Sequence, residues 1–150
     1  MATLDLTADT EIAASPADIA AVMFDPAREP EWVSTVTAVE IVDPALQPGA
    51  RVRRTGRVLG QEVSWTTTVD AVHFPHVLSL RVSDGPFSGV VSYGIQRSPG
   101  GSAVSIRVRG DAAGPAIILA EMIESPMRAA LTADLERLKG LVEAVRKLRT

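Results

Sequence analysis

The sequence predicts an α+β fold, a single domain in which a curved, seven-stranded antiparallel sheet wraps a long C-terminal helix, with a short broken helix after the first strand. Three observations carry this. A period-two alternation runs from Leu4 to Ile12, turn-punctuated β segments succeed one another from Thr35 to Arg109, and the last third switches to three- and four-residue apolar steps.

Taken in order, Leu4, Leu6, Ala8, Thr10 and Ile12 alternate with Asp5, Thr7, Asp9 and Glu11, the pattern of a strand with one wet face. Ser15-Pro16-Ala17-Asp18 supplies an N-cap, a proline at the first helical position and an acid in the first turn, and Ile19, Val22 and Met23 follow at helical spacing. Asp25-Pro26 and Glu29-Pro30 push the residue before each proline out of the helical region, so 24 to 34 is irregular and closes on Trp32. A second strand holds Thr37, Val39 and Ile41. Five more are expected at Arg51 to Leu59, Glu62 to Val72, Val77 to Val82, Phe87 to Gln96 and Ala103 to Arg109. The breaks between them, at Gly60-Gln61, Pro75-His76, Asp84-Gly85-Pro86 and Ser98-Pro99-Gly100-Gly101, are too short for helical crossovers, which makes the sheet a meander. Finally Ser125-Pro126 repeats the cap-plus-proline start. Met127, Leu131, Leu135, Leu138, Val142 and Val145 then form one apolar stripe on a helix of about six turns. Pro126 is expected to separate this helix from a short piece over Pro115 to Ile123.

Composition bounds the function. With 150 residues and no cysteine, one core without disulfides or thiolate chemistry is expected, and a reducing, cytoplasmic location is the default. A net charge of −3 gives no field for nucleic acid, and no apolar run is long enough for a transmembrane segment. The acidic, alternating N-terminus does not read as a signal peptide. Hydrophobic residues make up 46% of the chain and aromatics only 4%, so the interior is built from Val, Ile, Leu, Ala and Met. A twisted sheet closing on a long helix leaves space where the two diverge, and that space is the expected ligand site.

The order of these elements resembles the START-like or SRPBCC superfamily and its helix-grip fold, in particular the polyketide cyclase/dehydrase and lipid-transport branch. The residues carrying the resemblance are Ile12 to Ile19, Pro30-Glu31-Trp32 with Val39-Glu40-Ile41, Gly49-Ala50-Arg51-Val52, and Leu135-Glu136-Arg137-Leu138-Lys139. It spans nearly the whole chain and consists of order and spacing, not of a catalytic signature. It implies a hydrophobic small molecule held between sheet and helix, converted only in some members.

Several residues are candidates for that site. Between Arg51 and Arg57 stand four arginines in seven positions, and alternation turns Arg54 inward with Val52 and Val58. An internal arginine requires a ligand carboxylate, a phenolate or an internal acid, unless it reaches the rim. Asp70 and Glu62 lie on the face opposite Trp65 and do not read as that acid. One expected face carries Val63, Trp65, Thr67, Val69 and Ala71, another Phe87, Gly89, Val91, Tyr93 and Ile95. Trp65 and Tyr93 then read as cavity walls with polar handles or as core residues. Trp32 is placed at a cavity entrance. Met122, Ile123 and Met127 read as an adaptable gate or as core filling, with Leu131 beside them. Trp32, Arg54, Trp65, Thr67, Val91, Tyr93, Met122, Met127 and Leu131 are thus the expected ligand-binding set, and Arg54 and Tyr93 the catalytic candidates if there is a reaction.

His73 and His76 flank Phe74-Pro75 and read as turn residues before general bases; no third ligand follows at metal spacing. Neither a cofactor nor a metal is expected. The partner is a hydrophobic small molecule such as a polyketide or lipid, bound by a monomer or homodimer. The alternatives are a polyketide cyclase/dehydratase, with Arg54, Tyr93 and Trp65 polarising a poly-carbonyl substrate, and a protein-interaction module without ligand.

Overall fold

The computed structural model describes residues 2–58, 60–85, 88–112 and 115–149, with side chains for all of these except 2, 3, 58, 111–123, 146 and 149. Strands β1 (Ala2–Ile12), β2 (Val36–Ile41), β3 (Arg51–Val58), β4 (Gln61–His73), β5 (Val77–Ser83), β6 (Ser88–Ser98) and β7 (Gly101–Ala112) build one antiparallel sheet in the order β1-β7-β6-β5-β4-β3-β2. From β2 to β7 this is the meander the short turns dictate, and β1 joins it beside β7. Helix α1 (Pro16–Met23) begins as its residues require: Pro16 stands in the first turn and the Ser15 hydroxyl accepts from the Asp18 amide at 3.2 Å. A 3₁₀ turn over Pro26–Glu31 follows, started by Asp25, whose carboxylate accepts from the Ala27 amide at 3.0 Å.

The expected break at Pro126 does not occur. Helix α2 runs without interruption over Pro115–Arg149, 35 residues, about 52 Å at 1.5 Å per residue, with Pro126 inside it. A proline removes one helical hydrogen bond and crowds the carbonyl four residues back, which bends a helix more readily than it ends one. Here Pro126 faces solvent, and the turns on either side carry the helix through.

The core lies between the inner sheet face and the apolar stripe of α2. Leu4, Leu6 and Ile12 of β1, Leu78 and Leu80 of β5, Tyr93 and Ile95 of β6, and Val104, Ile106 and Val108 of β7 meet Leu135, Leu138 and Val142 of α2 there. Polar contacts fix the C-terminal half of α2 to the end of β1. The Ala13 amide donates to Glu143 at 2.9 Å, Lys139 donates to the Glu11 carbonyl at 2.9 Å and the Thr10 hydroxyl to Glu136 at 3.2 Å.

Strand β4 departs from simple alternation. Its register against β5 shifts between Val69 and Ala71, so Ala71 does not continue the inward face of Val69, and Val72 packs on the core instead. In β3 alternation holds: Val52, Arg54 and Gly56 are buried while Arg51, Arg53 and Arg57 are exposed. Gly56 is required, because a Cβ there would sit 1.9 Å from the Thr35 carbonyl oxygen and 3.1 Å from the Trp65 ring.

Candidate functional site

Arg54 points inward from β3 and is only 6% exposed. Its partner is an internal acid, Glu29 of the 3₁₀ turn, itself 4% exposed. Arg54 Nε and Nη2 form a two-pronged pair with the Glu29 carboxylate, the second prong at 3.0 Å, and Nη1 donates to the Thr67 hydroxyl on β4. Of the partners the sequence left open, this structure supplies the acid. Burial tends to strip the charge from Arg54, but the Glu29 carboxylate outweighs it and holds the guanidinium more firmly protonated than usual.

Above this pair stand the aromatic rings. Tyr93 packs 6.3 Å from Phe24 in a stacked arrangement and 6.0 Å from Trp32 edge to face, and Phe24 continues the row to Phe74 at 6.0 Å. The chain has only six aromatic residues, two Trp, one Tyr and three Phe, and this row uses four of them. Tyr93 is its sole tyrosine. Burial above all, then the Glu29 charge, pushes the phenol pKa up, so Tyr93 stays protonated and can donate. Trp32 does not close an entrance as expected. It is 1% exposed, because the 3₁₀ turn folds back over the sheet and carries the indole into the core.

The structure ties that turn to α2 through an acid that sequence reasoning missed. Asp134 is buried, accepts from the Ser34 amide at 3.1 Å and pairs with Arg137, which also donates through Nε to the Trp32 carbonyl at 3.1 Å. Glu29, Arg54, Asp134 and Arg137 thus form two neutralised pairs around the Trp32–Tyr93 contact. A signal for Asp134 existed: it stands three residues after Leu131 and four before Leu138, inside the apolar stripe.

Of the other expected residues, Trp65 is half-buried on the inner face, directly across from Arg54, and Thr67 is buried with it. Val91, Met127 and Leu131 are half-buried against the core edge. The Met122 side chain and Phe87 lie outside the described residues. His76 turns Nδ1 to the Ile95 carbonyl at 2.8 Å, which holds it in the β4–β5 turn, and His73 is exposed beside it.

The inward residues are sealed unevenly. Ile12, Ile95, Val104, Leu135 and Leu138 are no more than 1% exposed, whereas Val63, Trp65, Val82, Val91, Met127 and Leu131 keep partial access to solvent. A separate depression of about 500 Å³, lined by Ala14, Ser15, Asp18, Arg97, Ser98, Gly100 and Gly101, lies outside the core at the β6–β7 turn. None of the expected ligand-binding residues lines it.

Over residues 3–143 the chain matches the family described as polyketide cyclase / dehydrase and lipid transport. The chain belongs to that family. No functionally curated protein matches it in sequence. Among solved structures, TTHA0849 from Thermus thermophilus is similar at a TM-score of 0.79 and 16% identity, over 94% of this chain and 98% of that one. The di-domain ARO/CYC StfQ from the steffimycin biosynthetic pathway gives 0.79 at 9% identity, over 97% of this chain and 52% of that one. Major latex-like protein 151 from Panax ginseng gives 0.69 at 12% identity, over 92% and 96%. At these identities the likeness is one of fold, and it is the helix-grip fold. This polyketide cyclase/dehydrase and lipid-transport domain has no helix, among the described residues, long and apolar enough to cross a membrane.

Proposed function

We propose that the protein binds a hydrophobic small molecule between the inner sheet face and the N-terminal half of α2. The observation that carries this is the uneven sealing of a single face. Inward side chains at the Trp65, Val82 and Val91 end stay half-exposed beside Met127 and Leu131, while those at the Ile95 and Val104 end are dry. Inward apolar groups that retain solvent access are the lining a ligand would cover, each covered Å² contributing about 25 cal/mol. Trp65 and Val91 form the wall on the sheet side, Met127 and Leu131 the wall on the helix side. Family membership supports the same reading.

The cyclase/dehydratase reading needs a group free to take up a proton beside the substrate. Glu29 and Asp134, the buried carboxylates among the described residues, are both engaged by arginines, so binding is the reading favoured. Native mass spectrometry of the protein purified without detergent tests it. A co-purifying small molecule, lost on substituting Trp65 and Leu131 with polar residues, is the expected result. A bare chain that also fails to take up any apolar probe would end the proposal.

A further inference from the structure

Residues 26–32, the 3₁₀ turn and its cap Trp32, are bonded mostly to themselves. The Trp32 and Val33 amides both donate to the Glu29 carbonyl, at 3.1 and 2.9 Å, and Arg28 grips the Glu31 carboxylate through Nε and Nη2 at 3.0 and 3.2 Å. Among the described residues, no backbone-to-backbone hydrogen bond joins 26–32 to the sheet or to α2. Within the segment only Glu29 and Trp32 are buried. A segment that is held together internally and attached by few outside contacts can move as one body when those contacts give way.

The polar contacts that attach it are side-chain clamps, one to each wall of the proposed ligand space. On the sheet side Glu29 pairs with Arg54, which stands directly across from Trp65. On the helix side Arg137 donates to the Trp32 carbonyl at 3.1 Å, and Asp134, three residues beyond Leu131, accepts from the Ser34 amide at 3.1 Å. The turn thereby bridges the Trp65 wall and the Leu131 wall. Seating it also has a cost. Trp32 Nε1–H is buried without a hydrogen-bond partner among the described residues, a penalty that ends when the indole reaches water. The two clamps work against that tendency to lift.

We infer that residues 26–32 form a strap that opens locally, as one body, and that its opening unclamps the Leu131 wall from the Trp65 wall so that an apolar molecule can enter and leave. What passes rests on the binding reading above; that the strap opens does not. Arg137 is then a positioning residue, since it acts on the ligand space only through the strap.

Two measurements on the full chain test it. Amide hydrogen exchange of the unaltered chain is expected to show the Arg28, Trp32 and Val33 amides protected about a hundredfold less than those of β6 and β7. Arg137→Gln should lower the strap amides by about a further tenfold and leave β6 and β7 unchanged, with Arg137→Lys in between. The second measurement is stopped-flow mixing with N-phenyl-1-naphthylamine, a neutral apolar dye. Arg137→Gln should speed its uptake and its release by the same factor of about ten, so that the dissociation constant stays where it was. A role in stability alone would lower every amide together and leave the dye rates unmoved, which overturns the inference. Strap amides that exchange only when the whole fold opens overturn it too, and that result needs no variant. Dye that binds at rates unchanged by Arg137→Gln keeps the binding reading and removes the gate. Dye that never binds removes the binding reading, and the gate with it.

Discussion

Around Ile95, Val104, Leu135 and Leu138 the sheet and α2 meet as a dry, apolar solid, while toward Trp65, Val91, Met127 and Leu131 the same two surfaces stay partly wet, with the buried Glu29–Arg54 pair beside Trp65. One strand, β6, passes through both regimes within five residues, from Val91 to Ile95. The difference teaches that a single inward face carries out two tasks. Its sealed end contributes stability through close packing, and its open end forgoes some of that packing to keep polar groups and access.

The largest expected effect breaks the open end. Glu29→Ala leaves Arg54 buried without its carboxylate and is expected to lower stability by about 3–5 kcal/mol in urea unfolding. The double variant Glu29→Leu/Arg54→Leu should recover much of that. A loss below about 1 kcal/mol for Glu29→Ala would mean that the pair is solvated, and the contrast between the ends would fade.

Next, Leu138→Ala at the sealed end is expected to cost about 2–5 kcal/mol, as large-to-small changes in close-packed cores do. Met127→Ala at the open end should cost about 1 kcal/mol or less, since its side chain already meets solvent. Equal losses at the two positions would show that both ends are packed alike.

The smallest effect concerns pH. The fold holds the Tyr93 phenol pKa above its ordinary value of about 10. Above that pH the unfolded chain releases the proton while the folded chain keeps it. The folded state then binds more protons, and stability falls as pH rises, by at most about 1.4 kcal/mol per unit. Tyr93→Phe should flatten this alkaline limb. Because Tyr93 is the sole tyrosine, the appearance of phenolate absorbance reads its titration directly. A phenol that titrates at the ordinary value in the folded protein would place it in water.

Much of this architecture was legible from residue order. The alternation of Val52, Arg54 and Gly56 turned Arg54 inward, and short Gly- and Pro-containing turns made the strands a meander. What local rules misjudged was Pro126, where a helix-breaking residue sits within a continuous helix because its exposed position tolerates one missing bond. Trp32 was misplaced for a related reason. A broken segment has no period from which to read which way a ring points.

By itself the sequence determined the sheet, the helix stripe and the need of Arg54 for a partner, since each follows from periodicity and from the cost of burying a charge. Only the tertiary structure decided that the partner is Glu29, 25 positions away on an aperiodic turn, and that Asp134 and Arg137 fasten that turn to α2. Pairing between distant segments depends on how a curved sheet brings them together, and no local pattern of residues encodes that distance.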